Sequence, residues 1–201
     1  IDFRNFRYMS VGVRIRRGAT IHLKGESEKI LSDASPSKKF ALKPDNFFGI
    51  VPRLMVKEGE KIAQGSPVFH SKKDPRILFV SPVSGTVKQV VRGAKRKILK
   101  IVIEQQEGEH ITHKIPVDKS LNRESVTEIL LKSGAWPFFR QRPYGVTADP
   151  DVTPKAIYIS TYTSAPLDVD FQFLLKNHKD DFQKGIDVLD TLTDTPSVLS
   201  I

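Results

Sequence analysis

Val56-Lys-Glu-Gly-Glu-Lys-Ile-Ala-Gln-Gly-Ser-Pro-Val68 and Phe79-Val-Ser-Pro-Val-Ser-Gly-Thr-Val87 carry the reading of the fold. In each, an apolar residue runs into a turn marked by glycine or proline, and another apolar residue leaves it. The same rhythm extends outward. Val51–Val56 precedes a turn with its glycine at 59, and Ile62 starts a short element closed by Gln64-Gly65. Pro67–His70, Ile77–Val80, Thr86–Val91 and Ile98–Glu104 read as strands. They are separated by Asp74-Pro75, Ser81–Gly85 and Arg92-Gly-Ala-Lys95. Short runs with a turn signal every 8–12 residues predict a β-barrel or sandwich. Val and Ile dominate the runs, as a pleated, half-buried surface prefers. Two segments echo one another, since Val56-Lys-Glu-Gly-Glu and Val91-Arg-Gly-Ala-Lys each follow a strand.

Upstream, residues 1–10 read as an extension, with Met9 a candidate natural start. Val11, Val13 and Ile15 alternate with Gly12, Arg14 and Arg16, the period of a half-buried strand. Gly18 ends that strand and Thr20–Leu23 resumes it. Residues 24–46 read as a loop with one short strand at Phe40–Leu42. Downstream, the period changes at Asn122. Val126, Ile129, Leu130 and Leu131 fall at helical spacing, with Asn122 as cap, Glu124 in the first turn and Gly134 as stop. A Pro- and aromatic-rich connection, 135–154, leads to a strand of buried type at Ala156–Ser160. A short helix at Phe171–Leu175, a helix over Asp181–Leu192 and a strand starting at Val198 follow.

These elements predict an α+β protein. A barrel-type β domain with N-terminal strands occupies 11–116, and the start of an α/β domain occupies 117–201. A parallel sheet needs more elements than two strands and their helices to cover its faces, so the expectation is the front part of a longer protein.

Composition narrows the function. The 201 residues are 39% hydrophobic and 27% charged, as in a globular protein. Without cysteine, disulfides, thiolate catalysis and Cys-based metal centres are excluded. No stretch approaches the ~20 apolar residues of a membrane span, so membrane association is expected through partners. The net charge of +9 is unevenly spread. Residues 1–100 hold 22 Lys/Arg against 8 Asp/Glu, and residues 101–201 hold 10 against 15.

The two opening segments resemble the V-x-x-G-x-x-V-x-x-G-x-x-L and apolar-x-x-P-x-x-G-x-V segments of biotinyl/lipoyl carrier domains, which implies a barrel-sandwich hybrid fold. That family carries its modified lysine in the hairpin between them, usually as Asp-Lys-Ala or Met-Lys-Met. Here the hairpin reads Ser71-Lys-Lys-Asp-Pro-Arg76, so a carrier modified on Lys72 or Lys73 is the alternative reading and two solvated lysines the plainer one.

A second resemblance covers nearly the whole chain from Val11. Ile15-Arg-Arg-Gly18, Leu23-Lys-Gly25, Met55-Val-Lys-Glu-Gly59, Ser81-Pro-Val-Ser-Gly-Thr86, Arg92-Gly-Ala-Lys-Arg96, Arg140-Gln-Arg-Pro-Tyr144 and Ile157–Leu167 stand in the order and spacing of a family. They resemble the A-type subunits of the sodium-translocating NADH:quinone oxidoreductases of bacterial respiratory membranes. That resemblance implies a barrel-sandwich hybrid domain before an α/β domain. It also implies a peripheral location on the cytoplasmic face, with no covalent flavin or iron–sulfur centre in the chain itself. Its partners would be the other subunits of the complex, with quinone (of the ubiquinone type) as ligand at the level of the complex.

No catalytic constellation stands out in the chain itself. There is no G-x-S-x-G elbow, and no G-x-G-x-x-G follows Ala156–Ser160. His110 and His113 lie beside Glu107 and Glu109 in a polar segment read as a hairpin tip, and no metal site is assigned. Thr161–Ser164 reads as a loop satisfying its own backbone. Two segments remain. Arg92, Lys95 and Arg96 form a basic docking patch for an acidic partner protein or anionic headgroups. Nucleic acid is not expected, because no stacking aromatics are interleaved. Trp136-Pro-Phe-Phe-Arg-Gln-Arg-Pro-Tyr144 holds four aromatics and two arginines. Trp136, Arg140, Arg142 and Tyr144 suit a quinone or protein interface. The other reading is a strap whose aromatics pack under the helix.

Overall fold

The structure, a computed structural model, describes residues 18, 22–25, 28–33, 35–113, 121–163, 165 and 167–200. The extension at 1–10, the strand at 11–16 and residues 20 and 21 of the Thr20–Leu23 run lie outside the described residues. The chain forms two compact units, one of 34–152 and one joining 1–33 to 153–201.

The first unit is built on seven strands: β1 (Lys39–Leu42), β2 (Pro52–Leu54), β3 (Lys61–Ile62), β4 (Pro67–Ser71), β5 (Leu78–Val80), β6 (Gly85–Arg92) and β7 (Ile98–Gln105). They form two sheets, ordered β1-β7-β6-β3 and β2-β4-β5, with antiparallel pairing throughout. Every strand expected between 40 and 104 is present. Inward residues of both sheets make the core: Val56, Ile62, Val68, Phe69, Phe79, Val87, Ile101 and Ile103 are buried. Phe69 and Phe79 face each other across β4 and β5 and stack with centroids 4.4 Å apart. This is the barrel-sandwich arrangement, two curled sheets sharing one apolar interior.

Turn chemistry sets the register. Gly59 takes φ +83°, a conformation open to glycine, and its N–H donates to the Val87 carbonyl while Val87 N–H donates to Glu60. The Lys57–Glu60 turn is thereby fixed onto β6. Gly85 serves differently: a side-chain carbon there would overlap the Glu104 carbonyl of the paired strand. Irregularities between Val87 and Gln89, and again between Val91 and Arg92, re-aim β6 along its length.

Glu107–His113 is not a hairpin tip. Ile111 N–H donates to the Gln64 carbonyl at 2.9 Å, Gln64 N–H donates to Glu109, and Gln64 and His110 form a parallel bridge. Ser84 Oγ donates to the Glu109 carbonyl as well. The backbone groups around Gly65 need partners, and this polar segment supplies them, which its composition does not signal.

The same unit includes α1 (Arg123–Lys132), opened by a capping box. The Asn122 side chain accepts from Ser125 N–H, and Ser125 Oγ accepts from Asn122 N–H. Gly134, at φ +72°, ends the helix, and a side-chain carbon there would lie 2.7 Å from the Val80 methyls. Trp136–Phe138 form a single 3-10 turn. A hairpin of β8 (Arg140–Gln141) and β9 (Val146–Thr147) closes the unit.

In the second unit, β10 (Tyr158–Ser160) and β11 (Val198–Ser200) pair in parallel, with α2 (Phe171–Leu174) and α3 (Lys179–Asp190) between them in sequence. This is the crossover the α/β reading requires. Of Phe182, Ile186 and Leu189, which the helical period places on one face, Ile186 is buried and the other two are half-buried; Leu192 is buried just past the helix end. The strand at 156–160 reads as buried from its composition. Tyr158 is instead 77% exposed, because a two-stranded sheet leaves its outer positions uncovered.

Candidate functional site

Two surfaces of the β unit hold the residues singled out from sequence. The first is the β8–β9 hairpin. Trp136 anchors it: the indole is 5% exposed, its Nε1–H donates to the Ala148 carbonyl at 2.9 Å, and its ring meets Phe139 at 5.3 Å. Trp136 therefore positions the segment and offers no face of its own. Arg140 reaches across to the Asn46 carbonyl at 3.3 Å, and Val146 lies under Gly49. Phe138 meets Phe47 edge-on at 5.9 Å, and Phe47 in turn meets Phe79 of the core at 4.6 Å. The strap thus packs on the 46–49 loop and the barrel as well as beside α1. Arg142 and Tyr144 stand in the turn, where Gly145 takes φ +67°.

What this joint exposes is aromatic. Phe138 is 74% exposed, Tyr144 76% and Phe48, on the adjoining loop, 66%. Arg140 and Arg142 flank them, both exposed. Aromatic side chains with arginine are the composition that anchors interfaces. Sequence reasoning misses Phe48. Phe47-Phe48-Gly49 sits in a segment that reads as the approach to a strand, and which ring turns inward is settled by Phe79.

The second surface is the β6–β7 turn. Gly93 N–H donates to the Lys97 carbonyl, Lys97 N–H to Ala94, and Arg92 Nη1 to the Arg96 carbonyl at 3.2 Å. Arg92, Lys95, Arg96 and Lys97 are all exposed, and Lys97 is held by Asp45 at 2.8 Å. The structure brings the three predicted basic residues to one apex.

The hairpin that would bear a carrier lysine is braced by an arginine. Arg76 is paired to Asp74 and to Asp151, each at 2.7 Å through Nη2. This guanidinium holds both carboxyls below the ordinary aspartate range. The turn is thereby tied to the 149–152 segment through Arg76, with Lys72 and Lys73 left exposed beside it.

In the second unit Thr161 Oγ1 donates to Ser200 O, and Thr163 Oγ1 to Asp168 at 2.6 Å. These hydroxyls are engaged within the same unit, Thr161 on the paired strand and Thr163 on a carboxylate, and neither donates to the backbone of its own loop. Ser164 lies outside the described residues. Among the described residues no three His, Asp or Glu come together as metal ligands, and no helix is long and apolar enough to cross a membrane.

Comparison with known proteins bears on the whole arrangement. Residues 13–106 match the NqrA N-terminal barrel-sandwich hybrid domain, and residues 121–201 match the NqrA second alpha/beta domain. The chain belongs to the NqrA family. The A-type subunit of the Na(+)-translocating NADH-quinone reductase of Histophilus somni strain 2336 is 32% identical over 183 residues, 90% of this chain and 41% of that protein. The proteins of the same name from Yersinia pseudotuberculosis serotype O:1b and Rhodopirellula baltica are 32% and 33% identical, with the same coverage. This NqrA-family chain thus spans about two fifths of the length of the curated relatives it matches. The family's domain division falls between 106 and 121, whereas α1 and the aromatic hairpin cluster in space with the barrel.

Proposed function

We propose that this chain is part of a peripheral subunit on the cytoplasmic face of a sodium-pumping NADH:quinone reductase, where it supports quinone reduction by docking and assembly. The observation that carries the reading is the match of two successive NqrA domains, in order, along the chain. The relatives' shared name supplies the complex. The β8–β9 hairpin, with Phe138, Arg142 and Tyr144 outward, is its docking face for another protein of the complex. Arg140 and Arg142 are the cations for a quinone headgroup at that joint. In this reading NADH oxidation belongs to another subunit.

The test is co-purification of the full-length chain with the membrane subunits of the complex. The wild type is expected to carry them through. The F138A/Y144A variant is expected to fold normally, since both rings are exposed, and to lose most of the associated subunits. Purification of the wild type without any partner would overturn the assignment.

A further inference from the structure

The β6–β7 apex is a tight hairpin turn whose two central positions are both occupied by cations. Lys95 and Arg96 are consecutive non-glycine residues in the left-handed region, at φ 53° and 61°. Two such residues in succession are the pattern of a primed hairpin turn, where Asn and Gly are the usual occupants because the conformation is unfavourable for other L side chains. The neighbouring bonds from Gly93, Lys97 and Arg92 hold the turn in this shape. Among the described residues, the Lys95 and Arg96 side chains make no ion pair in return. The turn itself reverses β6 into β7, and that reversal does not call for cations at its tip, so the choice of Lys and Arg there points to an external contact.

The surroundings define that use. Lys100 is exposed beside the apex on β7, paired with Val91. Two acidic groups that bond to this hairpin are engaged elsewhere on it: Asp45 by Lys97, and Glu58 by the Val90 N–H at 2.6 Å. Leu99, also on β7, is 40% exposed and packs on Gly93 at the turn, adding an exposed aliphatic side chain to the hairpin. No aromatic side chain is present over 92–100, so base stacking has no platform. Protein interfaces are depleted in lysine and anchored by aromatics, which is the character of the β8–β9 hairpin and not of this turn. Cations around an exposed aliphatic side chain suit an anionic lipid surface.

We propose that the Arg92–Lys100 hairpin apex binds the anionic headgroups of the membrane surface directly, with Lys95 and Arg96 as its foremost cations. The inference rests on the reading that the chain works at a membrane. The test is binding of the full-length chain to vesicles of phosphatidylglycerol and phosphatidylethanolamine, with phosphatidylcholine vesicles as the neutral control. Binding is expected to the anionic vesicles alone and to fall with salt. At about fivefold per cation, K95Q/R96Q is expected to weaken it on the order of 25-fold, while Arg92 still closes the turn. K95R/R96K is expected to bind like the wild type. K72Q/K73Q, an equal charge change at the β4–β5 hairpin, is expected to leave binding unaltered. Circular dichroism of each variant separates misfolding from lost contact. Equal weakening by K72Q/K73Q would overturn the proposal in favour of net charge. So would loss of co-purifying subunits in K95Q/R96Q with vesicle binding intact, which would make the apex a protein contact. Patch-dependent vesicle binding with no co-purification of the wild type would overturn the assignment to the complex and leave the lipid site standing.

Discussion

Trp136 shows how one side chain can be legible as important and illegible as to role. Its neighbours in sequence, two arginines and three further aromatics, are the composition of an interface. Only its environment decides: the ring is buried and its one donor is spent on Ala148. W136A is therefore expected to cost about 3–5 kcal/mol of stability, the range for deleting a buried large aromatic side chain. W136F should cost less, roughly the 1–3 kcal/mol of an unpaired buried carbonyl. Because this is the sole tryptophan, urea unfolding should be followed by circular dichroism. A loss below about 1 kcal/mol for W136A would return it to the exposed face. Arg76 is likewise visible as a basic residue in a turn, but its second partner, Asp151, lies far along the chain, and no local pattern links them.

At the scale of elements, the strands are the clearest part of the reading. Glycine and proline mark the turns between 51 and 104 because the backbone there needs positive φ or tight reversal, and Val and Ile mark the strands because both sheets bury one face. The Asn122–Gly134 helix is bounded by its own caps, which act within three or four residues. Pairings between distant segments are not legible, and Glu109–Ile111 against Gln64 is the example. Gly85 belongs with them, since its constraint comes from Glu104 on the paired strand. G85A is expected to destabilise by at least about 1–3 kcal/mol, because the obstacle is a ladder carbonyl and not a flexible side-chain tip. A thermal melt of the variant checks it; an unchanged midpoint would mean that β6 and β7 can separate locally without loss.

At the scale of the molecule, charge and pH connect the parts. Arg76 holds Asp74 and Asp151 below the ordinary aspartate value of 3.8, chiefly through hydrogen bonds to the carboxylates. Asp170 is lowered by Lys29, and Asp168 by the Thr163 hydroxyl. A carboxyl whose folded pKa is depressed binds fewer protons when folded than when unfolded. Its contribution is therefore full above about pH 5 and is lost as the pH falls below about 4 through the folded values. Urea midpoints should be level above that window and decline within it. R76Q should flatten part of the decline and move the Asp74 carboxyl resonance back toward its ordinary titration. An R76Q profile superimposable on the wild type would show that the pairings do not persist in solution.

By itself the sequence determined the strand and turn order, the capped helix and the family resemblance that the two domain matches then established. Each depends on interactions within a few residues or on ordered motifs, so each is written locally. Tertiary structure alone decided which phenylalanine turns outward at 47–48, that Trp136 is an anchor, that Arg76 fastens the Lys72-Lys73 hairpin to Asp151, and that Lys95 and Arg96 stand strained and outward at an apex. These depend on burial and on partners distant in sequence, and burial exists only once the two sheets have closed on one another.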